Sequence, residues 1–168
     1  MKMRRRDHEM SREFAEKILD ECEWAVIAML NAEGNPHCIP ITIAREGDAI
    51  YFHSGKRGEK VECMRANPKI CLTCVGYSNR PEHMFTAEFE SAVVHGTVSE
   101  VTDEAEKTHA MRLICQRHTP QHMQEFEHTM AKQGAITLVW KLAIEDIAGK
   151  HQRFGPNGKE LPSDLAAK

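Results

Sequence analysis

The stretch 50–61 combines hydroxyl, glycine and basic residues in an order that suits anion binding. It begins with β-branched and aromatic side chains typical of a strand, and a helical pattern starts at Glu59. The free N–H groups of such a helix start, with a hydroxyl and lysines nearby, suit a phosphate dianion. A solvated loop after an edge strand fits the same composition, so both interpretations remain open. The candidate residues between strand and helix are His53, Ser54, Gly55, Lys56, Arg57 and Lys60.

The remaining cysteines and histidines do not predict a metal site. Cys71 and Cys74 have metal-like spacing, but they lie in a predicted strand, where positions i and i+3 face opposite sides. Thr119-Pro120 starts a new helix between His118 and His122, which separates that pair. His95 lies in an apolar strand, which favours a barrel histidine with satisfied hydrogen bonds over a catalytic one. No Ser-His-Asp or Cys-His constellation and no glycine-rich dinucleotide motif is present.

Composition limits the classes of partner. A chain of 168 residues suits one domain, and a net charge of −3 with a pI near 6.4 gives no drive toward nucleic acid or anionic membranes. No apolar run approaches the roughly 20 residues needed to span a bilayer. The basic N-terminus is not followed by a signal-peptide core, so we expect a cytoplasmic protein with reduced thiols.

The hydrophobic patterns predict about six strands with helices inserted between them. We expect a meander of short antiparallel strands curved into a barrel, with one domain over 1–153 and a flexible tail over 154–168. The strand 24–30 is expected to be buried on both faces, and Gly96 to mark a bulge or a close approach. Ser11 and Asp103 are predicted helix N-caps. The predicted strands are 24–30, 37–44, one from 50, 69–75, 89–98 and 136–144, and the predicted helices are 11–22, 59–67, 103–118 and 120–130.

This order of segments resembles the flavin-binding split β-barrel of the pyridoxamine 5′-phosphate oxidase-like superfamily. The likeness is strongest to the branch of Nim-type nitroimidazole-resistance proteins. It implies a mainly β fold with inserted helices, an antiparallel FMN-binding split barrel. It also implies a homodimer with FMN, or FAD, in two clefts at the subunit interface. The segments that carry it are 37–42, 51–61, 67–71, 90–96 and 144–150.

The resemblance also assigns residues. Pro40, Ile41 and Thr42 would follow the edge of the isoalloxazine, and Ser91 would supply a polar contact from the fifth predicted strand. His53 would lie near the flavin as a candidate for chemistry or substrate contact. The residues expected around the ribityl chain and phosphate are Phe52, His53, Ser54, Gly55, Lys56, Lys60 and Val61, with Lys60 pairing with the phosphate.

One position departs from the pattern of the relatives. Glu59 stands where relatives often carry arginine, and an acidic side chain near a phosphate is unfavourable unless it points away. The C-terminal residues that bind substrate in pyridoxamine oxidase have no clear counterpart here, so vitamin B6 oxidation is not expected.

The resemblance implies a flavin-dependent oxidoreductase. A nicotinamide, NAD(P)H, would bind transiently as donor, and a nitro-compound or quinone would be the small-molecule acceptor. Two alternatives remain: a flavin-binding module without turnover, and a haem-binding split-barrel protein.

Overall fold

The computed structural model describes residues 3–165, in which eight strands and four α-helices are assigned. Three 3-10 helices, Arg6–His8, Pro120–Glu125 and Gly134–Ile136, connect them. The α-helices are α1 (Arg12–Glu21), α2 (Glu59–Ala66), α3 (Glu104–His118) and α4 (Phe126–Gln133). The strands are β1 (Glu9–Met10), β2 (Ala25–Leu30), β3 (Pro36–Ile41), β4 (Ala44–Glu46), β5 (Ala49–Gly55), β6 (Lys69–Asn79), β7 (Glu88–Glu100) and β8 (Thr137–Gln152). The fold is thus mainly antiparallel β with inserted helices, as predicted.

All strands belong to one sheet in the order β3-β2-β6-β7-β8-β5-β4, and β1 also pairs with β8. β8 is longer than the predicted strand 136–144 and pairs with β5, β7 and β1. It therefore joins the two halves of the sheet.

The predicted strand 37–44 is wrong as a single element, because the chain leaves one edge strand at Ile41 and enters the other at Ala44. Only Thr42 and Ile43 connect the two edges, which can span at most about 11 Å between the flanking Cα atoms. The sheet must therefore curve until its edges meet, and β3 pairs with β2 while β4 pairs with β5. The expected simple meander is wrong for the same reason.

β2 is buried on one face only, which corrects the prediction of a strand buried on both. Its side chains alternate between buried and exposed from Ala25 to Leu30, and the exposed ones include Trp24 just before it and Val26. A continuous apolar run therefore leaves an uncovered apolar surface in the single chain.

Gly96 lies at an irregularity in the β7–β8 pairing, where the register shifts between His95 and Gly96. A Cβ atom at this position would clash with the backbone carbonyl of Ala143. The predicted close approach is confirmed, and it explains why only glycine fits.

Side chains cap two of the helices as predicted. The Ser11 hydroxyl accepts a hydrogen bond from Phe14 N at 3.2 Å, and Asp103 Oδ1 accepts one from Glu106 N at 2.7 Å. The helix predicted over 120–130 begins instead as a 3-10 turn at Pro120, and α4 follows from Phe126.

The predicted flexible tail makes specific contacts in its described part. Asp164 accepts hydrogen bonds from the backbone N–H and the hydroxyl of Ser11, at 2.7 and 2.6 Å. Glu160 Oε1 lies 2.8 Å from Nε2 of the buried His8. The chain after Arg153 thus packs against the N-terminal segment; residues 166–168, and residues 1–2 of the predicted domain, lie outside the described part.

The main core lies between the sheet and α1 and α2, and α3 covers a smaller cluster on β4, β5 and β8. Cys74 points into the main core, whereas Cys71 lies on the opposite face of β6, as its position in a strand predicted. Within residues 3–165, no helix is long and apolar enough to cross a membrane.

Candidate functional site

A short turn joins the end of β5 to the start of α2. This turn leaves the N-terminus of the helix open. The turn needs glycine at Gly58, whose φ is 117°, a value that side-chain-bearing residues rarely adopt. No side chain caps α2. The first N–H groups of an uncapped helix carry partial positive charge, so this end of α2 favours an anion.

Lys60, in the first turn of α2, is half-buried, and this burial lowers its pKa. Lys56 and Arg57 are exposed in the preceding turn. Within the described residues, none of these three cations has an acidic side chain at ion-pair distance. The turn therefore presents positive charge that no acidic side chain within residues 3–165 neutralises by an ion pair.

His53 points outward from β5 beside this charge. Burial by its neighbours lowers the pKa of His53 first, and electrostatic repulsion from Lys60, and then from His118, lowers it further. The imidazole is consequently neutral at pH 7 and can accept a hydrogen bond or a proton.

His118 is the residue that sequence reasoning missed. It ends α3, and its Nε2 donates a hydrogen bond to the backbone carbonyl of Ile43 at 2.8 Å. It thereby ties α3 to the crossover between β3 and β4 and lies close enough to affect His53. Its place at a helix C-terminus, where cations are favoured, was the only available signal.

Three predicted cofactor residues turn their side chains into the protein. Phe52 and Val61 are in the main core, and Ser54 is buried. The Ser54 hydroxyl accepts a hydrogen bond from Trp140 Nε1 at 2.9 Å and donates one to the Gly55 carbonyl at 2.9 Å. These three side chains lie on the interior side of the turn between β5 and α2, while His53, Lys56 and Lys60 face outward.

The residues predicted to meet the isoalloxazine lie on or next to the other edge of the sheet. Pro40 is exposed, Ile41 is buried and Thr42, at the crossover, is half-buried. Ser91 is half-buried on β7, opposite Val75 of β6. The structure thus groups His53 with Lys60 and brings the chain of Thr42 toward His118, and Ser91 belongs to a different part of the sheet.

Glu59 is directed away from Lys60. Its carboxylate lies 3.6 Å from His37 Nδ1 of β3. After burial, the charges of Glu59 and Glu62 are the next causes that raise the pKa of Cys63. Consecutive helical residues point about 100° apart, so the acidic side chain occupies a different face of α2 from the lysine.

An extensive apolar surface, here called the outer face, lies on β3, β2 and β6. Trp24 is 53% exposed and Val75 is 56% exposed, unusual values for such large side chains. The register of the three strands aligns these side chains in rows. The outer face consists of Trp24, Val26, Ala28, Leu30, Pro36, Cys38, Pro40, Cys71, Thr73 and Val75.

His95 is exposed beside the outer face. It lines a groove of about 380 Å³ together with Leu30, Cys71 and Gly96. In the part of the chain that the structure describes, no three His, Cys, Asp or Glu side chains are arranged to hold a metal ion.

Comparisons with known proteins agree with this architecture. A candidate 5-nitroimidazole antibiotic resistance protein from Bacteroides thetaiotaomicron superposes with a TM-score of 0.70 at 24% identity, over 84% of each chain. The flavocytochrome Anf3 from Azotobacter vinelandii gives 0.77 at 24% identity, over 99% of this chain and 77% of its own. The FAD and heme binding protein from Mycobacterium smegmatis gives 0.71 at 22% identity, over 96% and 80%.

A comparison with functionally curated proteins returned no match. The family model described as pyridoxamine 5′-phosphate oxidase matches residues 11–151, which include every element from α1 to nearly the end of β8. The chain therefore belongs to the pyridoxamine 5′-phosphate oxidase family and has its split-barrel fold.

Proposed function

We propose that this protein binds a flavin, with the phosphate at Lys60 and the open N-terminus of α2, and reduces a small acceptor with electrons from NAD(P)H. The observation that carries the proposal is the half-buried Lys60, which has no acidic partner among the described residues. A cation left unpaired in a partly buried position is best explained by an anion that arrives from solution. The solved structures of the flavocytochrome and of the FAD and heme binding protein support a flavin as that ligand.

The donor set fits a flavin phosphate. Lys60 would pair with it, N–H groups of α2 would donate to it, and Lys56 and Arg57 would add positive charge around it. Glu59 does not oppose this fit, because its carboxylate lies near His37. These groups suit FMN, and they equally suit the first phosphate of FAD.

A bound flavin would supply the hydride and electron transfer. The protein's own residues would position the acceptor and control protons. His53, kept neutral by burial and by Lys60, could donate a hydrogen bond to the acceptor, which strengthens as the acceptor gains negative charge on reduction. Nitro-compounds and quinones are acceptors of this class.

The outer face supports a homodimer. Apolar surface of this extent on a small chain marks a contact site, and Pro40, predicted to line the flavin, belongs to it. Two copies joined there would bring the β3 edge of one chain toward a site on its partner, which agrees with a cofactor held between subunits.

Titration with FMN and FAD tests the proposal. Lys60→Ala should weaken flavin binding at least tenfold, or about 1.4 kcal/mol, because it removes the phosphate partner. Lys132→Ala, an exposed lysine of α4, is the matched control and should bind as the wild type does. Failure of both flavins to bind, or equal binding by the two variants, would refute the phosphate site.

Turnover separates an enzyme from a binding module. Flavin-loaded protein that oxidises NAD(P)H only when a nitro-compound or quinone is present would support the reductase. Tight flavin binding without any such oxidation would instead identify a module that stores or senses flavin.

Haem is a second candidate, and the position of His95 favours it. His95 is exposed at an apolar groove, as a haem ligand would need to be. A Soret band upon haem addition that is lost in His95→Ala but kept in His83→Ala, an exposed loop histidine, would support haem at this groove.

A further inference from the structure

Cys22 and Cys74 come from different elements and meet beside an arginine. Cys22 follows the last residue of α1, and Cys74 is on the core-facing side of β6. The two thiols line the same groove and interact electrostatically, while the Cys22 thiol donates a hydrogen bond to the Leu19 carbonyl at 3.4 Å. Arg117 of α3 lies next to Cys22. Its guanidinium is 2.6 Å from the Cys22 carbonyl oxygen and 3.5 Å from Cys22 Sγ.

Arg117 is available to stabilise a thiolate. In the described residues, no acidic side chain lies at ion-pair distance from it. The interaction with the neighbouring Cys74 thiol, followed by the charge of Arg117, lowers the pKa of Cys22 to about 7. The pKa of Cys74 is raised, first by its interaction with the Cys22 thiol and then by burial. Cys22 is therefore the thiol that ionises and can act as the nucleophile, and Cys74 is the thiol that keeps its proton.

Two other cysteines, Cys63 and Cys71, lack this environment. Burial raises the pKa of Cys63, and the neighbouring Glu59 and Glu62 raise it further. Burial also raises the pKa of Cys71. Only a thiolate reacts rapidly with peroxides, so this contrast distinguishes the Cys22–Cys74 pair.

Both thiols are nearly buried, but in the single chain they line a groove of about 470 Å³ that a small molecule can enter. Outer-face residues such as Trp24 and Val75 form part of this groove, and its rim includes the exposed Glu21 and Glu23. These carboxylates lie at the end of the outer face, where two negative charges suit solvent better than an apolar contact. They disfavour anionic oxidants and admit neutral ones.

We propose that Cys22 and Cys74 form a redox-active dithiol that a small neutral hydroperoxide converts to a disulfide. The Cys22 thiolate attacks one oxygen of hydrogen peroxide and breaks the O–O bond, which yields a sulfenic acid on Cys22 and a hydroxide. The hydroxide takes up the proton that Cys22 released on ionising and becomes the first water. The Cys74 sulfur then attacks Cys22 Sγ, and the sulfenic oxygen leaves as a second water with the Cys74 proton. The two thiols together lose two electrons, and these electrons reduce one hydrogen peroxide to two waters.

Peptide mapping after peroxide treatment tests the dithiol. In a full-length Cys38→Ser, Cys71→Ser background, the tryptic peptides 18–45 and 70–107 each contain one cysteine. Stoichiometric hydrogen peroxide should join these two peptides. Additional Cys63→Ser should leave the cross-link unchanged, since Cys63 is an equally buried cysteine outside the pair.

Two further variants test the chemistry. Cys74→Ser should stop the reaction at a sulfenic acid on Cys22, which dimedone traps. Arg117→Gln should slow oxidation about tenfold at neutral pH, because the thiolate loses its nearest cation. In the parent protein the rate should rise with pH around a midpoint near 7.

The proposal is overturned if folded protein, checked by circular dichroism, keeps Cys22 reduced while Cys115 is oxidised. It is also overturned if Cys22 reacts no faster than Cys63. Neither result depends on flavin binding, so the dithiol and the proposed reductase can fail separately.

Discussion

His53 has a charge state that depends on two other basic side chains. Lys60 comes from the helix that follows its strand, and His118 comes from the end of α3. Lys60 could be paired with His53 from the sequence, because a strand, a tight turn and a helix keep them close. His118 could not, because its position is fixed by the packing of α3 on β4 and β5, which no local pattern encodes.

Removing either basic side chain should raise the pKa of His53. We expect Lys60→Gln to raise it more than His118→Gln does, since the charge of Lys60 is the larger cause after burial. NMR titration of the His53 ring measures this, with Lys132→Gln as an unaffected control. A His53 pKa that stays constant in both variants would contradict the arrangement.

The same shift gives His53 a defined effect on stability. Its folded-state pKa lies below the ordinary value of 6.5, so the unfolded chain binds the proton more readily. His53 therefore makes its full contribution to the free energy of unfolding above pH 6.5, where it is neutral in both states. That contribution declines as the pH falls below 6.5, because the unfolded chain takes up the proton first.

Strand pairing is the level at which the sequence was least informative. Types and approximate positions of most elements follow from hydrophobic periodicity and from caps such as Ser11 and Asp103. The division of 37–44 into β3 and β4 does not, because both halves have strand-like composition and only long-range pairing separates them. Outward-facing Pro40 and inward-facing Ile41 were assigned together by resemblance, which does not resolve side-chain direction.

The Gly96 irregularity gives a test at this scale. Gly96→Ala should destabilise the protein by about 3 kcal/mol, because the new methyl group meets the Ala143 carbonyl and the β7–β8 pairing must shift. Gly55→Ala has open space around its Cβ position and should change the free energy of unfolding by less than about 1 kcal/mol. Urea denaturation of both variants measures the difference; equal effects would disprove the close approach.

The outer face determines how whole molecules should associate. If it is the dimer contact, a charge near its centre must be desolvated on association, which strongly disfavours the dimer. Val26→Lys should therefore shift the protein to monomer in sedimentation experiments. Ile136→Lys, at a side chain that is 65% exposed but outside the outer face, should leave the assembly unchanged. A wild-type monomer, or a dimer that tolerates Val26→Lys, would rule out this contact.

The central position of β8 constrains the order of folding during synthesis. β5 has no partner except the three-residue β4 until β8 pairs with it, yet it carries the fully buried Ile50 and Phe52. A nascent chain must therefore hold these side chains uncovered until the ribosome has released residues 137–152. The barrel cannot close before β8 is available, and the nascent chain is most exposed to aggregation just before that point.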